Sequence, residues 1–156
     1  METFLENVFG KSIQWLQVHA VTFARIGMGI IFFWFGMLKF FPGLSPAEAI
    51  AGETIELISF GLIPPRISLP LLAIWETLIG IGFLTGRFPR LTVLIMLAQM
   101  AGTMSPLVLL PEATFTHFPY APTLEGQYII KNLALIGIAL IVWAAGSRGR
   151  VVPAEE

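Results

Sequence analysis

Four long apolar runs, each bounded by proline, glycine or charge, dominate the hydropathy pattern. A helix of about 20 apolar residues crosses the ~30 Å hydrocarbon core of a bilayer. The runs therefore predict spans over 18–41, 68–86, 90–110 and 124–145. Ahead of the first, residues 4–17 mix Phe4, Leu5, Val8, Phe9, Ile13 and Leu16 with polar neighbours, the pattern of an amphipathic helix on a membrane surface. Pro42-Gly43 stops span one. Ser45, Pro46 and Glu48 then read as a capping box. It opens a helix over 46–60 that is too short and, with Glu48, Glu53 and Glu56, too acidic to span, so it is predicted at the interface. Pro106 is expected to disturb span three by removing a ladder hydrogen bond, and Thr123 to cap span four. The 111–123 connection, rich in proline and aromatics, reads as an outer loop and a candidate lid. Residues 146–156 form a tail. The fold class that follows is all-α: one integral membrane four-helix bundle with an amphipathic N-terminal helix and a short interfacial helix between spans one and two.

Helical period also sorts the polar positions. At ~100° per residue, Arg25, Gly29, Phe32, Gly36 and Lys39 fall on one stripe of span one, each within about 40° of Arg25. The two cations stand roughly 20 Å apart along it at ~1.5 Å per residue. Lipid does not tolerate such a stripe, and its small residues admit a close helix, so it should face protein.

Composition agrees with the membrane class: of 156 residues, 56% are apolar and the net charge is −1. No basic run suggests nucleic acid. Cysteine is absent, which excludes thiol–disulfide exchange and iron–sulfur ligation by this chain. His19 and His117 fall on opposite membrane faces, so a bis-histidine haem is not supported, and no metal-ligand spacing is present. Lys11, Arg87, Arg90, Arg148 and Arg150 gather at the N-terminus, the 2–3 turn and the tail, against Arg66 alone on the other side. The positive-inside rule then puts both termini in the cytoplasm.

With that orientation, Lys39 lies at the outer end of span one. Glu76 lies about two turns below the outer end of span two, Lys131 and Asn132 about two turns into span four, and Gln99 near the middle of span three. An ionisable group at bilayer depth costs about 2.5–3.5 kcal/mol on insertion scales, so this outer-half cluster needs partners or a purpose. In the bland alternative, Glu76 bridges Lys39 and Lys131 and only fixes helix register. In the functional one, the surplus cation and the donors Lys39, Lys131, Asn132 and Gln99 suit an anionic or carbonyl-bearing small molecule, with Arg25, near the cytoplasmic side, as a further ligand-binding candidate.

The segments WFGMLKFFPG, WETLIGIGFLTG and GQYIIKNLALIGIAL resemble the DoxX family of four-helix membrane proteins over roughly 20–145. The MSPLVLLPEATF and FPYAPTLEGQYIIKN runs are most similar to its reactive-chlorine-resistance relatives, although Asn132 stands where an acidic residue often follows the lysine. The resemblance implies a bacterial inner-membrane protein, in some members a subunit of a thiosulfate:quinone oxidoreductase or of an oxidative-stress complex. It singles out Arg25, Lys39, Glu76 and Lys131.

The reading that follows is a redox-associated subunit binding a quinone or similar molecule. Lys39 and Lys131 would donate to its oxygens, Glu76 would serve as the catalytic proton carrier, and Phe32, Trp34 or Trp75 would pack on the ring. Expected partners are the lipid bilayer, a small hydrophobic or anionic ligand, a redox partner subunit and a further copy of the chain. The alternatives are a small transporter for an anion or weak acid, its path lined by Arg25 to Lys39 and gated by the 111–123 loop, and a non-catalytic scaffold.

Overall fold

The computed structural model describes residues 2–147. Helix α1 (Glu2–Leu38) runs without interruption for 37 residues. The surface helix expected at 4–17 and the span expected from 18 are thus one rod, because no proline breaks the backbone ladder between them. Its last turn tightens into i→i+3 bonds, Lys39 N to Gly36 O, Phe40 N to Met37 O and Phe41 N to Leu38 O, each 3.2 Å. Lys39 is therefore one residue past the helix rather than inside it.

Helix α2 (Glu48–Ile58) follows, with Ala47 at its N-cap. The expected capping box does not form. The Glu48 carboxylate reaches back past Ser45 and accepts from Gly43 N at 2.7 Å. Pro64-Pro65 opens helix α3 (Pro65–Thr85), which closes on Gly86 in the left-handed region, φ 63°. Helix α4 (Pro89–Met104) breaks at Ser105 and resumes as α5 (Pro106–Leu109). The interruption sits where Pro106 lacks an N–H.

The 111–123 connection has more structure than its composition suggests. It holds a helical turn, α6 (Pro111–Thr114), and a small antiparallel hairpin, β1 (Phe115–His117) with β2 (Ala121–Pro122). Its base is clasped to the bundle. Thr123 Oγ1 donates to Ala113 O at 2.7 Å, and Thr114 N–H and Oγ1 bond Leu110 O. Thr123 also caps α7 (Leu124–Ile130), accepting from Gly126 N at 3.1 Å. The last span turns tightly at Lys131 and continues as α8 (Asn132–Ser147).

Four segments, Ser12–Leu38, Pro65–Thr85, Pro89–Leu109 and Leu124–Gly146, are long and apolar enough to cross a membrane. Around the bundle, α1 packs on α3, α3 on α4, α4 on α8 and α8 on α1. Each contributes to one core: Met28 and Phe32, Ile79 and Phe83, Val93, Met96 and Met100, Ala139 and Val142. Apolar side chains facing outward need no cover in a bilayer, which is why the core is small relative to the apolar content.

The longest seam joins α1 to α3, and it is the predicted stripe that makes it. A Cβ on Gly29 would stand 2.7 Å from Leu84 Cγ, and one on Gly36 2.6 Å from Thr77 N and 3.0 Å from Glu76 Cβ. Phe32 packs against Phe83, ring centroids 6.2 Å apart. From α3's side, Gly80 lies directly on the Phe33 backbone. Small residues bring the two backbones together, and the rising numbers on one helix meet falling numbers on the other.

Candidate functional site

Where α1 stops, Lys39 Nζ meets Glu76 Oε2, part-way along α3, at 2.6 Å. Their side chains are 7% and 11% exposed. The other carboxylate oxygen, Oε1, accepts from Gln99 Nε2 at 2.8 Å. Three helices thus converge on one carboxylate. Charge-assisted bonds of this length are among the stronger ones available to side chains, and a buried carboxylate without them would be costly. Lys39 also approaches Phe35 O at 3.4 Å. Two buried oxygens beside this nest, Gln99 Oε1 and Thr77 Oγ1, have no partner among the described residues.

Lys39 opens on a cleft of about 350 Å³ between the two helix ends and the start of α2. Glu48 and Arg66 share its walls with Phe40, Leu69 and Pro70. The cleft is half open, and its lining is mostly apolar with a few polar groups. Glu48 and Arg66 were not singled out as site residues by the pattern, which read one as a cap and the other as a loop cation. The signal lay in the antiparallel register: the first turns of α3 run on past the end of α1, so Arg66, Leu69 and Pro70 border the space beyond Lys39.

The remaining expected site residues lie elsewhere. Lys131 does not join Glu76; it is exposed, with its ammonium 4.5 Å from the centre of the Tyr128 ring. The surplus cation expected in the nest is therefore missing, and Lys39 with Glu76 is a neutral pair. Asn132, half-buried at the start of α8, makes no side-chain hydrogen bond to a described residue. Trp34 is 63% exposed and faces away from the seam. Trp75 is also exposed, its indole N–H 3.4 Å from Ile95 O on α4. Phe32 is core.

Arg25 occupies the opposite end of the seam. Its guanidinium donates to the carbonyl oxygens of Phe83 and, at 2.9 Å, Leu84. These belong to the last turn of α3, whose carbonyls have no partner within the helix. A cation there also complements the negative end of the helix dipole. Gly86 completes the fit: its positive φ suits glycine, and a Cβ would lie 2.6 Å from Arg25 Nη1.

Among the described residues, no three His, Asp or Glu side chains gather to hold a metal.

The family model described as DoxX matches residues 20–110. The chain belongs to the DoxX family. The match spans α1 from residue 20 through α5, so every member of the carboxylate nest, Lys39, Glu76 and Gln99, falls inside it, as does Arg25. Lys131 and Asn132, which the fold leaves outside the nest, also fall outside the match. No curated protein and no solved structure matches the chain. Four apolar helices and this family describe a multi-pass membrane protein.

Proposed function

We propose that this DoxX-family protein is a redox- or oxidative-stress-associated membrane subunit that binds a quinone or a similar carbonyl-bearing small molecule in the cleft beside Lys39. The observation that carries this reading is the position of Lys39. Its ammonium has three donors; one is held by Glu76 and a second reaches Phe35 O at 3.4 Å, which leaves one, and the side chain lines an open, largely apolar cleft. A carbonyl oxygen suits that remaining donor capacity better than a charged group does, since the pair is already neutral. In the same walls, Phe40 and Leu69 supply apolar surface for a ring. The residues present therefore fit such a ligand.

A quinone, when bound, supplies the two-electron chemistry that a chain without cysteine lacks. The chain's own residues bind and orient. Lys39 donates to a ligand oxygen, Glu76 behind it holds an exchangeable proton site, and Gln99 fixes the Glu76 carboxylate so that it stays turned to Lys39. Electrons must come from or pass to a redox partner subunit. The basic residues at the 2–3 turn and both sequence ends support an orientation with both termini in the cytoplasm, and in that orientation the cleft would face the outer side.

The transport alternative gains no support. The stripe that would line its path, Arg25 to Lys39, is filled by α3 along its length.

The test is chemical. Quinone should co-purify with the wild-type protein, and quinol-dependent turnover in native membranes should fall at least tenfold for Lys39→Met and Glu76→Gln, a loss of about 1.4 kcal/mol in ligand or transition-state binding. Protein free of quinone, with turnover untouched by either substitution, sinks the proposal.

A further inference from the structure

The rim of the same cleft carries a second pair of charges that the quinone reading leaves unused. The Arg66 guanidinium makes no hydrogen bond or ion pair with a described residue. Glu48 spends one carboxylate oxygen, Oε2, on Gly43 N and has no cation on the other. Both line one cleft, yet they do not pair with each other. Deeper in, Lys39 and Glu76 cancel. The rim is therefore a dipole with its two poles open: a guanidinium awaiting an oxyanion and a carboxylate awaiting an N–H cation. An anion alone would satisfy one pole and be repelled by the other; a simple cation would do the reverse. A zwitterion satisfies both.

Its level in the fold narrows the ligand further. Leu38 and Pro65 end and begin two of the apolar spans, and the cleft lies between them. The ends of spans stand where a bilayer changes from hydrocarbon to headgroup. Around it, Phe40, Phe41, Ile67 and Leu71 expose apolar surface, suited to acyl chains rather than to water. The N-terminus of α3 adds positive potential on the Arg66 side, where an oxyanion would sit.

We propose that the cleft rim is a site for an aminoethyl phosphate headgroup, that of phosphatidylethanolamine, with the phosphate on Arg66 and the ammonium on Glu48. The headgroup would seat at the mouth, chains running down the outside of α1 and α3, while the inner donor at Lys39 is left to the quinone-type ligand. The two sites are adjacent, not identical. Phosphatidylcholine carries the same charges, but its quaternary ammonium has no N–H for Glu48. Phosphatidylglycerol offers Arg66 a phosphate but leaves Glu48 facing an anion.

Native mass spectrometry of the full chain, loaded with equimolar amounts of the three lipids in detergent, tests this. Wild type should retain phosphatidylethanolamine roughly fivefold over either competitor, equivalent to about 1 kcal/mol. Glu48→Gln can still accept from Gly43 N but loses the charge, so its preference should move to phosphatidylglycerol. Arg66→Gln should lose the preference altogether. Equal retention of the three lipids by wild type, or an unchanged ranking in Glu48→Gln, overturns the assignment. Displacement of the lipid by millimolar soluble aminoethyl phosphate overturns the lipid as its source. Should a variant fail to fold, the wild-type ranking decides. Quinone content is read separately on the same preparation and turns on Lys39 and Glu76, so either proposal can fail while the other stands.

Discussion

The two cations that bracket the α1–α3 seam lie on one stripe of one helix, and their roles differ completely. Arg25 meets the carboxyl end of α3 and is consumed by backbone: its donors close two carbonyls that the helix cannot satisfy. Lys39 meets α3 part-way along its length, at Glu76. It finds a side-chain carboxylate instead, braced by an amide from a third helix and opening on a cleft. A cation at a helix C-terminus is a structural fastening. A cation paired with a buried carboxylate at a cleft is chemistry held in place. The partner, rather than the residue type or its period, decides between them.

The largest effect should come from splitting the charge pair. Lys39→Met strands Glu76 behind the cleft with only Gln99 for a partner, and should lower unfolding free energy in detergent by about 3 kcal/mol, the scale of an uncompensated buried charge. Glu76→Gln should cost less, because Lys39 can turn its ammonium into the cleft. The double variant should be more stable than Lys39→Met alone. Additive losses would mean that the pair is not coupled and that the site is looser than described.

A smaller effect belongs to the other end. Gly86→Ala forces a side chain into the left-handed region and onto the Arg25 guanidinium, and should cost about 2 kcal/mol. Ligand retention at the Lys39 end should not change with it. Were binding lost with Gly86→Ala at full folding, the two ends would be one functional unit and the contrast would collapse.

Much of this was legible in the sequence because the period of a helix is strict. The stripe from Arg25 to Lys39, the break before Pro106 and the Thr123 cap each follow from local chemistry that tertiary packing leaves alone. Lys131 was misplaced for a definite reason. Depth along a span can be counted from its ends, but the direction a side chain faces depends on how the helix is rotated in the bundle. The last span, apolar on every side through LALIGIALIVW, gives no polar face from which to read that rotation. Lys131, expected at the level of the nest, instead lies exposed over the Tyr128 ring. The cleft was hidden for a related reason: Lys39, Glu48 and Arg66 come from three segments whose meeting depends on register between helices. The Glu48 misreading is subtler, since a carboxylate three residues after a serine does suit a capping box, and only the tight turn at Gly43 offers it a better donor.

On the proposed function, one end of the seam binds and the other only fastens. The direct measurement is equilibrium binding of a fluorescent quinone analogue to the full chain in nanodiscs, for wild type, Lys39→Met, Glu76→Gln and Arg25→Gln. The account predicts at least tenfold weaker binding for the first two variants and less than a twofold change for Arg25→Gln, in line with ~1.4 kcal/mol per factor of ten. Equal losses at both ends, or binding that ignores Lys39 and Glu76, would contradict it.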